Sequence, residues 1–181
     1  MANPRPTPRC TATPQPNRGA PRGPRLGRWR RHRDLTSLIA GEAARVVVLE
    51  PNPRKVAFGL ERHPEFEFLG GRGERIPFPD ESFDRVLALF SFHHMDYQEK
   101  ALEEMRRVLK RDGRLVLQEF HRRSGPGGIG RLWTRATGGR HKFLEPGEIK
   151  EQFEQGGFRD VVVYPARRGY CAVATKHGLR R

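Results

Sequence analysis

Very little in this sequence can be cross-linked. It holds two cysteines in 181 residues, Cys10 and Cys171. Two sulfurs so far apart make neither a metal-binding spacing nor a disulfide framework, which fits a reducing, cytosolic setting. Long apolar runs are also missing. None approaches the ~18 residues of a membrane span, and the amino-terminal stretch has no apolar signal-peptide core, so export is not expected. Acidic residues are absent from the first 33 positions. That segment carries nine arginines, no lysine and one aromatic residue, Trp29.

The formal net charge is +14, which by itself suggests nucleic acid or an anionic surface. Its distribution argues otherwise. The 148 residues after Arg33 carry 26 basic and 21 acidic side chains, an ordinary surface with a mild positive bias. A basic nucleic-acid-binding protein using residues 1–33 as an arm therefore ranks last among the functional readings. Residues 1–24, rich in Pro, Arg, Thr and Gly, lack periodicity and cannot bury enough apolar surface to offset their ordering entropy. The expected organisation is a disordered basic segment over 1–33 and one domain over 34–181.

From Asp34 the pattern becomes regular. Asp34 suits an N-cap, and Leu35, Leu38 and Ile39 share a helical face. The β-branched run Arg45–Glu50 reads as a strand buried on both faces. In "PNPRKVAFGLER", Asn52 is placed to cap a helix with Pro53 at its first position, and Pro64 limits it. Glu65–Gly70 alternates like a strand, and Arg85–Phe90 reads as a second buried one. Ala101, Leu102, Met105, Val108 and Leu109 form a helical stripe that Asp112-Gly113 should end. Arg106, Arg107, Lys110 and Arg111 read as that helix's solvated end, favoured by its dipole. Arg114–Phe120 is the next strand. A Gly- and Arg-rich connection over 122–142 is long enough to be a lid, a binding loop or disordered. A helix near Pro146–Gln155, closed by Gly156-Gly157, precedes "FRDVVVY" and "GYCAVATK", an expected antiparallel pair. Alternating strands and helices imply an α/β fold with a mostly parallel sheet and helices on both faces. Such sheets bind ligands beyond the carboxyl ends of their strands.

Two stretches carry a resemblance. They are "GERIPFPDESFDRVLALFSFHHM" and "ALEEMRRVLKRDGRLVLQEF", which together span most of Gly73 to Phe120. Here the chain resembles a class I S-adenosylmethionine-dependent methyltransferase, of the group that includes the quinone-biosynthesis C-methyltransferases. The resemblance implies a Rossmann-like sheet ending in an antiparallel hairpin, S-adenosyl-L-methionine as cofactor, and a small-molecule methyl acceptor. It also implies a cofactor site on Glu50, Pro51, Gly73, Glu74, Phe90 and Ser91. Glu50, ending the family's second strand, would accept the ribose hydroxyls. Gly73 would meet adenine through its backbone, and Phe90 and Ser91 would flank the methionine moiety. Arg72 stands where the family often has an acid. Adjacent histidines such as His93 and His94 rarely converge on one ion without a distant carboxylate or cysteine to complete the set, so no metal site is expected. They read instead as pocket-lining, with a base role for either as the weaker option. Tyr97, His121 and Trp133 are pocket-edge candidates for which packing roles serve as well.

One part of the family pattern is missing. Its first strand and glycine loop, typically V-L-D-x-G-x-G-x-G, should stand just before Asp34. Those glycines let the backbone approach the cofactor, and the following helix offers its amides. The chain has "RLGRWRRHR" there. Arginine brings a Cβ and a positive charge to a place meant for a sulfonium cation. The genetic code offers an explanation. With suitable synonymous codons, Arg25 to Arg33 read one nucleotide later give V-L-D-V-G-G-G-T-G, followed directly by "DLTSLIA". Residues 1 to about 33 are thus read as translated out of frame, with the fold's central first strand missing or degenerate. A non-catalytic relic of the fold is the rival reading for this polypeptide. Sequencing the gene across this junction should reveal a glycine-rich loop in the shifted frame; a shifted frame without one removes the explanation.

Overall fold

The computed structural model describes residues 43–121, 142–166 and 169–177. The helix expected from Asp34, the segment 1–33 and Trp133 lie outside the described residues. Strands β1 (Val47–Glu50) and β2 (Glu67–Gly70) pair in a two-stranded sheet, with helix α1 (Pro53–Arg62) between them in sequence. Strands β3 (Phe83–Leu89), β4 (Leu109–Phe120), β5 (Arg159–Ala166) and β6 (Gly169–Thr175) form a second sheet in the order β3-β4-β6-β5. Helix α2 (Gln98–Val108) precedes β4, and α3 (Pro146–Gln155) precedes β5. The chain divides into two compact units near residue 70, described separately below. No helix among the described residues is long and apolar enough to cross a membrane.

In the first unit, local chemistry sets α1. The Asn52 side chain accepts a hydrogen bond from Arg54 N at 2.9 Å, and Pro53 fills a first-turn position whose missing N–H costs nothing. The helix stops before Pro64, with His63 N donating to Gly59 O at 2.8 Å. Arg45 grips Glu67 through two hydrogen bonds of 2.7 Å, tying the start of β1 to β2. The expected burial of Arg45–Glu50 on both faces does not hold. Val47–Glu50 are only half-buried, because the described strand beside β1 is β2 alone.

The second unit contains the core. Strands β3 and β4 run parallel, with Arg85 opposite Arg114 and Leu89 opposite Gln118. Strand β6 lies antiparallel to both β4 and β5, so the expected terminal hairpin is present and the sheet is mixed. Ala101, Leu102 and Met105 of α2 and Ile149 and Phe153 of α3 pack with Leu115 and Leu117 of β4 and Ala172 and Ala174 of β6. Strand β3 is less buried than its sequence suggests. Ala88 alone is fully covered, and Phe90 leaves the strand at a φ of 51°. On the outer side, β5 has a register shift between Arg159 and Val162, with Asp160 at a φ of 51°, and carries Pro165.

Helix α2 ends at Val108 rather than at Asp112-Gly113. Leu109 already pairs with Phe83, and the next matched pair is Arg85 with Arg114, so the residues between Leu109 and Arg114 bulge out of the ladder. Asp112 turns the chain at a φ of 58°. A Cβ on Gly113 would lie 2.8 Å from Lys110 O and 3.2 Å from Asp84 O, so the turn needs glycine. Lys176 explains the early stop. Its Nζ donates to Leu109 O at 2.6 Å and to Arg107 O at 3.4 Å, satisfying carbonyls at the helix end. Backbone bonds Asp112 N to Lys176 O (2.8 Å) and Lys176 N to Gly113 O (2.9 Å) then draw this stretch into the sheet.

The reading of Arg106, Arg107, Lys110 and Arg111 as one solvated helix end also needs correction. Lys110 and Arg111 belong to β4, and Arg107 is a clamp. Its Nε donates to Glu104 at 2.8 Å. Nη1 donates to Phe78 O (2.7 Å) and Asp80 (2.9 Å), and Nη2 to Ile76 O (2.9 Å) and Glu104 (2.9 Å). A guanidinium has five N–H groups, and all five are used. Glu104 in turn accepts from Ile76 N at 2.9 Å. The loop "RIPFPDESFD" is thereby fastened to α2 through Arg107 and its two carboxylate partners, Glu104 and Asp80.

Arg107 holds the Glu104 carboxyl well below the ordinary range, at about 2. A carboxylate with a lowered folded pKa contributes stability that is present above its unfolded value near 4.5 and is lost as pH falls towards 2. Glu104→Ala should cost ~1.5–3 kcal/mol at pH 7, as for hydrogen bonds to charged groups. Urea titrations followed by circular dichroism should show this deficit shrinking between about pH 4.5 and pH 2. A deficit constant over that range would contradict the clamp.

Candidate functional site

The sequence-predicted site residues fall on both units. On the first, Glu50 ends β1 with its side chain 25% exposed. Its Oε1 accepts from Asn52 N at 2.9 Å, which fixes the rotamer. Its Oε2 stands 3.8 Å from Lys55 Nζ, beyond hydrogen-bond distance. One carboxylate oxygen therefore keeps its acceptor capacity beside the start of α1. Pro51 follows, exposed, in the bend between strand and helix.

On the second unit, Gly73 and Glu74 lie in a tight turn closed by Arg75 N to Arg72 O at 3.1 Å. The turn is tied to the segment after Met95. Glu74 accepts from Asp96 N at 2.9 Å, and Arg72 donates to Asp96 at 3.1 Å. A Cβ at Gly73 would come within 2.8 Å of Met95 Cε. The space left by this glycine is thus occupied by the chain's own thioether. Arg72, standing where the family often has an acid, pairs with Asp96.

Phe90 and Ser91 lie at the carboxyl end of β3. Phe90 N donates to Gln118 O at 2.8 Å, and its ring stacks on Phe120 with centroids 4.4 Å apart. Ser91 leads into a 3₁₀ turn, Phe92–His94. Nothing local in the sequence marks what holds this turn. Glu119, near the end of β4, accepts through Oε1 from Phe92 N (2.8 Å) and His93 N (3.4 Å). Its Oε2 meets His93 Nδ1 at 2.7 Å. Glu119 is 3% and His93 6% exposed. Gln98, also buried, donates from Nε2 to Phe92 O (3.1 Å) and Lys142 O (2.8 Å). The signal that could have exposed Glu119 is strand parity, since Leu115, Leu117 and Glu119 alternate onto the covered face of β4.

The remaining candidates scatter. The His94 ring lies against that of His93, with centroids 3.9 Å apart and planes tilted by 41°. His121 lies 3.6 Å from Glu145 and near the Tyr170 ring. Tyr97 is 73% exposed. Among the described residues no three of His, Cys, Asp and Glu converge as a metal-binding set.

Residues 33–117 match the family model described as "Methyltransferase domain". The demethylmenaquinone methyltransferase of Streptomyces griseus is 47% identical over 62 residues, covering 34% of this chain and 27% of that protein. The ubiquinone/menaquinone biosynthesis C-methyltransferase UbiE of Hahella chejuensis is 33% identical over 102 residues, covering 51% and 41%. The chain thus spans well under half the length of these relatives. A SAM-dependent methyltransferase from Thermotoga maritima, described as a possible histamine N-methyltransferase, shares the fold. Its TM-score is 0.62 at 22% identity, covering 74% of this chain and 73% of that one. Over residues 33–117 the chain is thus similar to a methyltransferase domain, with quinone-biosynthesis C-methyltransferases among its relatives in sequence and a SAM-dependent methyltransferase sharing its fold.

Proposed function

We propose that this protein is a methyltransferase acting on a small-molecule acceptor, and that its competent form carries the shifted reading frame over residues 25–33. The observation that carries this reading is the match over 33–117, joined to a carboxylate at the end of β1 whose Oε2, among the described residues, has only a 3.8 Å ion pair with Lys55. The names of the relatives support a quinone precursor as acceptor, with methylation at a ring carbon.

The residues fit the cofactor in part. Glu50 suits a ribose hydroxyl, because Asn52 N–H pins the carboxylate while leaving Oε2 able to accept. Arg25 to Arg33 do not suit the other end. Guanidinium groups repel a sulfonium cation, and side chains prevent close backbone approach. When bound, S-adenosylmethionine supplies an electrophilic methyl group. The protein's part is to hold the two reactants in line, where orientation alone can supply ~7–11 kcal/mol. For the polypeptide as translated, the arginine run favours the second reading, a fold that has lost its cofactor.

Calorimetry separates the two. The 181-residue chain should show no micromolar affinity for S-adenosylmethionine, and the frame-corrected chain should bind it. In the corrected chain, Glu50→Ala should weaken binding roughly 10- to 100-fold, the worth of a hydrogen bond to a charged group. Tight binding by the chain as translated, or none by the corrected one, would overturn the proposal.

A further inference from the structure

A cleft of about 410 Å³ opens at the end of the four-stranded sheet opposite Phe90 and Ser91. Its walls come from the loop before β3, from α2 and from the turn after α3. Six charged side chains line it, the acidic Asp80, Glu81 and Glu103 and the basic Arg106, Arg107 and Lys176. Four of the six are already committed. Asp80 accepts from Arg107 at 2.9 Å, and Arg107 has no N–H left. Glu103 accepts from Lys100 at 2.9 Å. Lys176 Nζ donates to the carbonyls of Leu109 and Arg107.

The other two are not. Glu81 makes only ion-pair contacts, 3.8 Å to Arg111 and 3.7 Å to Lys176. Both run through Oε1, and both are beyond hydrogen-bond distance. Arg106 makes one long hydrogen bond, Nε to Gly157 O at 3.3 Å, and its Nη1 and Nη2 have no partner among the described residues. Its guanidinium is nonetheless seated. A Cβ on Gly157 would lie 3.1 Å from Nε, 3.2 Å from Cζ and 3.4 Å from Nη2, so the group rests against a bare Cα. The φ of 78° at Gly157 reserves that position for glycine as well. A positioned fork with two unspent terminal nitrogens is the group that a carboxylate meets in bidentate fashion.

Arg106 and Glu81 are opposite in charge and line one cleft, yet among the described residues no ion pair joins them. Glu103, one turn before Arg106 on α2, holds Lys100 instead. An anion alone would satisfy Arg106 but share the cleft with three carboxylates. A cation alone would satisfy Glu81 but share it with three basic groups. A molecule carrying both charges satisfies both residues and leaves the balance of the lining unchanged. The volume suits a small ligand.

We propose that this cleft binds a small zwitterion of amino-acid size, its carboxylate accepting from Nη1 and Nη2 of Arg106 and its ammonium donating to Glu81. The site uses neither Glu50 nor the residues at the carboxyl end of β3, and it does not depend on the methyltransferase reading. Binding there ties the "RIPFPDESFD" loop to the end of α3, and stabilises the folded chain by mass action.

The test is a titration of the ¹⁵N-labelled 181-residue chain, followed by ¹H–¹⁵N spectra, with glycine, β-alanine, 4-aminobutanoate and 6-aminohexanoate. These probes hold the two charges at increasing separations. If the strand amides of that chain are not dispersed, the frame-corrected chain is titrated instead. At least one probe should saturate in the millimolar range, move the Arg106 Nε–H and the amides of Glu81 and Gly157, and raise the thermal midpoint. Butanoate and butylammonium should each bind about 10-fold more weakly or worse. Arg106→Gln and Glu81→Gln should each weaken the best probe about 10-fold. Arg106→Lys, which keeps the charge but not the fork, should fall between parent and Arg106→Gln. Amide dispersion checks that each variant is folded. No saturation by any probe up to about 100 mM, butanoate binding as tightly as the best probe, or undiminished binding in either glutamine variant would overturn the proposal.

Discussion

One guanidinium organises the motif by which this chain is known. Arg107 uses its five N–H groups on two carbonyls of the "RIPFPDESFD" loop, on Asp80 and on both oxygens of Glu104. The loop contributes no regular secondary structure up to Phe83 and has few backbone partners of its own. Without the clamp, the carbonyls of Ile76 and Phe78 would each lose a charged donor, with Phe78 N still reaching Ile76 O at 2.8 Å. Because α2 is anchored in the core by Ala101, Leu102 and Met105, the clamp transfers the rigidity of the core to the loop. Strand β3 begins where that loop ends, so the clamp sets the position of the strand's amino end.

Glu119 plays the corresponding part at the other end of β3. It gathers two amides and an imidazole at a turn that starts from a residue with positive φ, Phe90. A non-glycine residue in that region is uncommon and is held there by its surroundings. Here the Phe90–Phe120 stack and the bond from Phe90 N to Gln118 O supply the hold. The unit around the core is therefore pinned at both ends of β3, once by a cation and once by an anion, each working mainly on backbone groups.

Features set by neighbours in sequence were legible. Asn52-Pro53 announces α1, and the stripe Ala101, Leu102, Met105, Val108 announces the buried face of α2. The parallel pairing of β3 with β4 followed from alternation of strands and helices. What sequence reasoning missed depends on partners far along the chain. Helix α2 looked longer than it is because the residue that stops it, Lys176, lies 67 positions beyond Leu109. Arg107 looked like an ordinary helix-end cation because its partners stand about 30 residues upstream. Glu119 was hidden in "LQEF", where nothing local marks an acid as buried, although its parity with Leu115 and Leu117 does. Of the proposed site, Glu50 and the β3 end could be named from the resemblance, whereas the group that joins His93 to the sheet could not.

The outer edge of the four-stranded sheet has a consequence of its own. Strand β5 carries a bulge at Asp160 and a proline at position 165, on a strand whose described neighbour is β6 alone. Proline withholds a donor, and a bulge twists the remaining ones out of line. A second chain offering an extended segment to this side would find an interrupted row of groups. Lateral growth of the sheet into fibrils is thus discouraged along β5 by the same residues that shape it.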